Sequence, residues 1–482
     1  MSYEPRAMSQ HPTPRSHEPR ATSRELRGFS LCTALVVICL FLSLAVSASA
    51  ASLAERVFET TLDNGLKVLL LEESKAPVVT IQVWYKVGSR NEQIGKTGIS
   101  HMLEHMMFNG TPTIGPKQFS LIVQRNGGQD NAHTTSDYTA YYENFAADRV
   151  LFGLELEADR MAHLLLGEKE FQPERQVVIE ERRLRIEDQP ANVLGEVMRA
   201  TAFLAHPYRW PVIGWPSDIE GYTRDDLVQY FRTFYAPNNA TLIVAGDIKK
   251  DDLLPKIQAL FGKIPRGPAQ PKVITVEPPQ RGERRVYVKK DAELPLVFGV
   301  YHVPNLTHPD SFALDVLAYI LGGGQSARLH QQVVYEKRLA SYASADYSGV
   351  HVDPYLLGVS AGPLPGKTAE EVEQAIFAEI ERVQREPVLE RELQKAKNQI
   401  ESEFIFAQDS VHRLASLLGA WESVANWRLL AGYLDGIRKV TAADVQRVAK
   451  HYLTQDNRTV AILIPTKPAA PAGAGQPGGS KP

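Results

Sequence analysis

The chain has 482 residues, of which 44% are hydrophobic and 23% are charged, and these values are ordinary for a globular protein of roughly two to four domains. Its formal net charge is −3, from 53 basic and 56 acidic side chains, so it has no overall positive field for nucleic acid. The composition also excludes a collagen-like chain, a disulfide-rich scaffold and a fully disordered protein.

The N-terminal segment 1–50 has the pattern of a secretory signal peptide. Arg24 and Arg27 precede an apolar run over 29–46, and the small residues Ala48-Ser49-Ala50 follow this run. A basic flank, an apolar stretch and a small-x-small end predict cleavage after export, and hence a periplasmic or secreted protein. The alternative is an uncleaved membrane anchor over 29–46, since this run is close to the minimum length of a membrane span.

The cysteines and the proline-rich segments set further limits. Cys32 and Cys39 are the only two cysteines and both lie in the predicted signal peptide, so the mature chain contains no thiol. Any metal site in the mature chain must then use nitrogen and oxygen ligands. Segment 467–482 is mostly Pro, Ala and Gly, which predicts a disordered tail. Segment 265–283 is rich in proline and predicts an interdomain linker.

The two parts on either side of this linker, 51–264 and 284–466, have the features of copies of one domain. Residues of the first part recur in the second at a constant offset of 218 positions. The matched pairs are Thr223 and Thr441, Asp226 and Asp444, Asn239 and Asn457, Thr241 and Thr459, Val68 and Val286, and Pro77 and Pro295. Both parts mix short apolar strands with long amphipathic helical patterns, which predicts two α+β domains.

The strongest chemical signal is the pentapeptide His101-Met-Leu-Glu-His105. Thr97 as an N-cap and Asn109 as a stop predict a short helix, on which His101, Glu104 and His105 project opposite an apolar stripe. Two histidines at i and i+4 can chelate one metal ion, and Glu104 between them is placed to take a proton from an activated water. The alternative is a surface helix with two histidines and an ion-paired glutamate.

A third metal ligand is expected on another element, because zinc in hydrolases usually has three protein ligands and one open position. Segment 173–187 predicts a helix that begins at its proline. Glu174 and Glu181 share an apolar face of this helix, whereas Glu180 points elsewhere. Carboxylates in an apolar stripe are costly unless they are paired or bind metal. The alternative is that both pair with arginines such as Arg185.

These residues resemble the M16 metallopeptidases, the pitrilysin or insulinase family. The inverted zinc motif of that family is His-x-x-Glu-His, with a further Glu about 76 residues after the second His, and Glu181 stands at that distance here. Other matching stretches are Thr97-Gly98, Phe108-Asn-Gly-Thr111, 131–142 and 322–329. The resemblance covers 57–465, and the size is similar to that of the two-domain bacterial processing-peptidase-like branch.

The resemblance implies two homologous sheet-plus-helices domains related by pseudo-twofold symmetry, with one zinc ion per chain. The implied zinc ligands are His101, His105 and Glu181. Glu104 is the implied general base, and Glu174 is the implied partner that orients a ligating imidazole. The edge strand with Asn131, Ala132 and His133 is expected to receive an extended peptide as an added β-strand. For His133, a solvent-facing role on that strand is the alternative.

The second half departs from the family pattern and lacks a metal motif. An offset of 218 moves the pentapeptide's His, Glu and His onto Tyr319, Gly322 and Gly323, none of which replaces a lost ligand. Relatives carry an Arg and a Tyr seven residues apart in this half to hold substrate. The Tyr is retained as Tyr342, but Tyr335 stands at the Arg position.

The missing Arg predicts a dimer, either with a paralogous M16 subunit that carries the Arg/Tyr pair or with a second copy of this chain. Compensation by Arg338, three residues away, is the alternative. The implied function is a zinc-dependent endopeptidase that hydrolyses peptides or unfolded polypeptides in a cleft between the halves. The competing hypothesis is a non-catalytic M16-type subunit of a larger assembly. A metal carrier without hydrolysis is a third hypothesis, but it leaves Glu104 unexplained.

Overall fold

Two β-sheets, each covered by helices, organise the part of the chain that the computed structural model describes, which is residues 53–466. The predicted signal peptide at 1–50, its membrane-anchor alternative at 29–46 and the predicted tail at 467–482 lie outside the described residues. Within 53–466, no helix combines the length and the apolar sequence that crossing a membrane requires.

The first half contains six strands and nine helices among the described residues. Its strands are β1 (Val57–Thr61), β2 (Lys67–Glu72), β3 (Val78–Tyr85), β4 (Gln129–Thr134), β5 (Thr139–Ala146) and β6 (Ala240–Gly246). Its helices are α1 (Leu53–Arg56), α2 (Ile99–Met106), α3 (Phe119–Arg125), α4 (Val150–His163), α5 (Glu168–Arg182), α6 (Pro190–Ala202), α7 (Pro216–Gly221), α8 (Arg224–Phe234) and α9 (Lys250–Phe261).

The second half follows a stretch over 265–283 that contains neither helix nor strand. Its strands are β7 (Arg284–Lys290), β8 (Leu296–Val303), β9 (Ala340–Tyr347), β10 (Tyr355–Pro363) and β11 (Arg458–Pro465). Its helices are α10 (Ser311–Gly322), α11 (Ala369–Arg385), α12 (Glu390–Ala407), α13 (Val411–Val424), α14 (Leu430–Lys439) and α15 (Ala442–Tyr452).

The two sheets share one strand order, which confirms that the halves are two copies of one α+β fold. The first sheet runs β1-β2-β6-β3-β5-β4 and the second runs β7-β11-β8-β10-β9. The pairs β2/β6 and β7/β11 are parallel, and the other neighbours are antiparallel. When β1 is set aside, the orders correspond strand for strand.

Helices α8 and α15 begin with the same capping box, at positions that the sequence offset relates. The hydroxyl of Thr223 accepts a hydrogen bond from the backbone N–H of Asp226, and the Asp226 carboxylate accepts one from the backbone N–H of Thr223. Thr441 and Asp444 make the same pair of bonds. Such a box satisfies two backbone donors that a helix start would otherwise leave unpaired.

Each sheet is partly covered by a helix from the other half. Helix α13 of the second half packs on β3 and β6, where Leu414 and Leu418 join Trp84 in one buried cluster. Helix α6 of the first half packs on β7 and β11, where Leu194 contacts Leu463. Separating the halves would expose both apolar faces to water, so this exchange holds them together.

Candidate metal centre

The helix that carries the pentapeptide is α2, and a buried carboxylate holds its N-terminus. The predicted cap, Thr97, is wrong: the cap position is Gly98, whose φ of 85° lies in the left-handed region that glycine adopts without strain. The Glu92 carboxylate accepts hydrogen bonds from the backbone N–H groups of Gly98 at 2.7 Å and Ser100 at 2.9 Å. The Thr97 hydroxyl donates instead to Asp218 at 2.7 Å.

The apolar stripe of α2 anchors the helix in the core of the first half. Ile99, Met102, Leu103 and Met106 are each at most 2% exposed. Their packing fixes the rotation of the helix about its axis, so the opposite face is the one that turns toward α5 and β4. His101, Glu104 and His105 lie on that face, as the helical periodicity predicts.

Helix α5 faces α2 and supplies carboxylates to the same region. The prediction that Pro173 begins this helix is wrong, because α5 starts more than a turn earlier and ends in a π-helical turn over Arg183–Glu187. Pro173 lies in the second turn of α5, where it cannot donate a backbone hydrogen bond, and the helix continues past it. Glu174 is almost fully buried and Glu181 is half-buried, whereas Glu180 is exposed.

Three side chains converge between α2 and α5. Nε2 of His105 lies 3.1 Å from Oε2 of Glu181, and Nε2 of His101 lies 3.7 Å from the same oxygen. One ligand atom from each residue lies within 4.8 Å of the other two, and no other such group of histidine, cysteine or acidic residues occurs among the described residues. Two imidazole nitrogens and one carboxylate oxygen are a donor set that fits zinc.

Glu174 orients one of the two imidazoles. Nδ1 of His105 lies 3.0 Å from Oε1 of Glu174 and donates to this carboxylate, which directs Nε2, the atom that would ligate a metal, toward Glu181. Asn109 donates to the other oxygen of Glu174 at 3.4 Å, and the Lys117 ammonium lies 3.6 Å from it. Burial opposes ionisation of Glu174, but the hydrogen bonds from His105 and Asn109 outweigh it and lower its pKa.

Burial and hydrogen bonds shift the pKa values of the three converging side chains in different directions. Burial, reinforced by the neighbouring His105, lowers the pKa of His101 to about 4, so His101 is neutral and able to ligate. Burial acts in the same direction on His105, but hydrogen bonds to Glu174 and Glu181 raise its pKa to about 9. The hydrogen bond from His105 lowers the pKa of Glu181. Arg185 pairs with the other oxygen of Glu181 at 2.9 Å, so the arginine pairing considered as an alternative is present for Glu181, whereas Glu174 pairs with His105 and Lys117.

Glu104 lies beside the three converging residues and accepts a hydrogen bond from the Thr134 hydroxyl on β4. Burial raises the pKa of Glu104, although the bond from Thr134 opposes this shift. A carboxylate whose pKa is raised by burial is a better proton acceptor than an exposed one. Thr134 was not predicted from the sequence, although alternation along a strand points it to the face opposite His133.

The converging residues line an open cleft of about 780 Å³, and β4 forms one wall of it. Among the described strands, β4 pairs with β5 alone, so its other edge has no strand partner within 53–466. Asn131, Ala132 and His133 all line the cleft. The ring of His133 packs edge-on against Trp84 and Tyr138, with centroids 5.6 and 5.8 Å apart, so it does not point at the histidines of α2.

The residues predicted for the second half lie elsewhere. All of the described residues that line the cleft belong to the first half. Tyr342 is on β9, the free edge strand of the second sheet, and is 41% exposed. Tyr335 is 70% exposed, in a π-helical segment over His330–Glu336, and Arg338 is exposed just after it. A role for Tyr342 in substrate binding therefore stays a prediction.

Two family models match the chain, one in each half. Residues 67–214 match a model described as insulinase (peptidase family M16), and residues 221–400 match one described as the peptidase M16 inactive domain. The chain is 35% identical over 430 residues to zinc protease PqqE of Helicobacter pylori, which covers 88% of this chain and 97% of the relative. It is 27% identical over 407 residues to the uncharacterized zinc protease YmxG of Bacillus subtilis, and this match covers 84% of this chain and 98% of that relative.

A solved structure agrees with these matches. The crystal structure of a protease from Helicobacter pylori superposes with a TM-score of 0.82 at 35% identity, covering 85% of this chain and 99% of that chain. The similarity therefore spans both halves and nearly the whole length of the relative. The chain belongs to peptidase family M16, the insulinase family.

Proposed function

We propose that the protein is a zinc-dependent endopeptidase that cleaves peptides or unfolded polypeptides. The observation that carries this proposal is the convergence of His101, His105 and Glu181, with Glu104 beside them in an open cleft. The donor set suits zinc, and Glu104 is a carboxylate that ligation does not need. A carboxylate in that position has the chemistry of a general base, which a purely structural metal site lacks.

Each side chain of the site has a distinct role in the proposed hydrolysis. His101 and His105 would hold zinc through Nε2, and Glu181 through one carboxylate oxygen. Bound zinc supplies Lewis acidity, which makes a water molecule easier to deprotonate and polarises the peptide carbonyl. Glu104 takes the proton of that water and returns it to the leaving amine, a task that its raised pKa favours. Thr134 holds one oxygen of Glu104 and leaves the other for the water.

The free edge of β4 suggests how a substrate binds. A peptide in extended conformation can add to this edge through main-chain hydrogen bonds, next to α2. Such pairing makes little demand on side chains, which suits unfolded polypeptides. Asn131 shields part of this edge, since its side-chain oxygen accepts from the Ala132 N–H at 2.9 Å. An entering strand would displace this local bond.

The second half supports a proposal about assembly. No described residue of that half lines the cleft, and Tyr335 provides no cation where relatives carry an Arg. We therefore propose a dimer, with a paralogous M16 subunit that carries the Arg/Tyr pair and completes the transition-state contacts. Light scattering of the protein, alone and mixed with such a paralogue, tests this. Full activity of a monodisperse monomer contradicts the two-chain arrangement and leaves the zinc chemistry untouched.

Removal and reloading of the metal distinguish the peptidase hypothesis from the hypothesis of a non-catalytic subunit. The purified chain is stripped with a chelator, reloaded with one equivalent of zinc, and assayed on a labelled unfolded polypeptide, alone and with the paralogue. We expect hydrolysis to be lost on stripping and restored on reloading. Tight zinc binding without hydrolysis in either condition would favour the non-catalytic assembly subunit. N-terminal sequencing of the exported protein tests the proposed periplasmic or secreted location.

A further inference from the structure

A second cavity, of about 420 Å³, lies in the second half of the chain, between helices α10, α12, α13 and α14. It shares no lining residue with the cleft at the metal centre. Six aromatic residues contribute to its wall: Phe312, Tyr319, Tyr347, Phe404, Trp421 and Tyr433. A cavity of this volume is large enough for a small organic molecule or one long side chain.

The aromatic residues form a cluster around Tyr433. The ring centroid of Tyr433 lies 5.5 Å from those of Phe404 and Trp421, and 6.2 Å from that of Phe312. Aromatic rings carry negative potential on their faces, so a group of rings around one space attracts cations with apolar surfaces.

Two acidic side chains also line this cavity. Asp315 lies within it and accepts a hydrogen bond from the Tyr433 hydroxyl at 3.1 Å. Glu403 is exposed at the mouth and accepts one from the Tyr319 hydroxyl. Of the described residues that line the cavity, none is a lysine, arginine or histidine. Asp315 is largely surrounded by protein atoms, and this burial raises its pKa to about 7.

The Asp315 carboxylate has a hydrogen bond from Tyr433 but no cation among the described residues that line the cavity, so its charge is costly unless a cation enters or a proton binds. We propose that this cavity binds an organic ammonium ion carried on an alkyl stem, such as a lysine side chain or a small free amine. The ammonium would pair with Asp315, and the stem would lie against the rings of Tyr433 and Trp421. A metal ion fits poorly, since the cavity offers too few oxygen ligands. A guanidinium fits poorly too, because most of its five donors would lack acceptors.

Binding is tested on the full-length protein by measurements that do not depend on peptide hydrolysis at the metal centre. n-Butylammonium chloride is titrated in phosphate buffer at about pH 8, where Asp315 is ionised, and 1-butanol serves as the neutral isostere. Tris is avoided because it is itself an ammonium ion. Calorimetry measures the affinity, and a change in the total tryptophan fluorescence, to which Trp421 in the cavity wall contributes, accompanies occupancy. We expect saturable binding of butylammonium and at least roughly tenfold weaker binding of butanol. Equal binding of the two, or no binding of butylammonium, overturns the proposal.

Asp315→Asn removes the charge while keeping an oxygen that can accept from Tyr433. We expect it to weaken butylammonium binding by roughly tenfold or more. The matched control is Asp456→Asn, an exposed aspartate outside the cavity, which should leave binding unchanged. Unaltered affinity in folded Asp315→Asn overturns the proposal. If that variant fails to fold, Glu403→Gln at the mouth serves instead, and it should weaken binding by roughly two- to tenfold.

Two further ligands distinguish the source of the ammonium. Nα-acetyl-lysine amide is compared with Nα-acetyl-norleucine amide, which has a similar stem without the charge. Tighter binding of the lysine derivative than of butylammonium supports a peptide side chain as the natural occupant, and the reverse order supports a free amine. A preference for the norleucine derivative contradicts cation binding altogether. None of these results depends on whether the metal centre hydrolyses peptides.

Discussion

Replacing Asp137 with alanine should destabilise the protein strongly, because this buried carboxylate joins the two halves. Asp137 follows β4 in the first half and its side chain is 2% exposed. Its Oδ1 accepts from the Tyr208 hydroxyl at 2.7 Å, and Nδ1 of His351, in the second half, donates to Oδ2 at 3.0 Å. Arg90 lies 3.6 Å from Oδ1 and also pairs with Asp353 of the second half at 2.7 Å.

The expected loss follows from the two hydrogen bonds that the charged acceptor makes. A hydrogen bond to a charged group contributes about 1.5–3 kcal/mol, and removing one partner of a buried pair typically costs about 3–5 kcal/mol. Asp137→Ala leaves the Tyr208 hydroxyl and Nδ1 of His351 without this acceptor. We therefore expect the free energy of unfolding to fall by about 3–5 kcal/mol.

Equilibrium unfolding in urea, followed by tryptophan fluorescence and circular dichroism, measures this loss. Asp148→Ala is the matched control, because Asp148 is 73% exposed and its ion pair spans 3.9 Å; it should change stability by less than about 0.5 kcal/mol. A double-mutant cycle with His351→Ala then isolates the coupling between the halves. A loss below about 1 kcal/mol for Asp137→Ala, the range of exposed ion pairs, would refute the reasoning.

Three further predictions concern single carboxylates. Glu181→Gln should sharply weaken zinc affinity measured with a competing chelator, whereas Glu180→Gln, on the exposed side of α5, should leave it nearly unchanged; the reverse order would contradict the ligand assignment. Glu174→Gln should weaken zinc affinity by roughly 10–100-fold, and no effect would exclude its orienting role. The hydrogen bond from Lys96 lowers the pKa of Asp226 to about 2, so its stabilisation is complete above the unfolded pKa of about 3.9 and is lost as pH falls toward 2. The difference in urea midpoint between the wild type and Asp226→Asn should therefore shrink over that window, and a constant difference would contradict this origin.

The periodicity of apolar residues was sufficient to predict those parts of the fold and of the site that lie within a single helix or strand. The phase of α2 follows from its apolar stripe, so the sequence places His101 and His105 on one face. The phase of α5 likewise separates Glu181 from Glu180, although the predicted start of that helix is wrong. The constant offset between the halves relates β3 to β8 residue for residue, because neither strand contains an insertion relative to the other.

Long-range contacts could not be predicted in the same way. Glu92 caps α2 from a preceding loop, and no spacing rule connects a loop glutamate to a helix start. The exchange of α6 and α13 between the halves depends on which sheet face each amphipathic helix covers, whereas periodicity shows only that a face is apolar. Asp137 and His351 are 214 positions apart, and only the packing of the halves brings them together.

The central claim is that Glu104 acts as the base beside a zinc ion held by His101, His105 and Glu181. Its most direct test is Glu104→Gln, with zinc content and peptide hydrolysis measured on the same preparation. The account predicts one zinc per chain, as in the wild type, and a rate lower by roughly 10²–10⁴-fold. His101→Ala is the comparison variant and should lose the metal as well as the activity. Near-normal hydrolysis by Glu104→Gln with zinc bound would contradict the account.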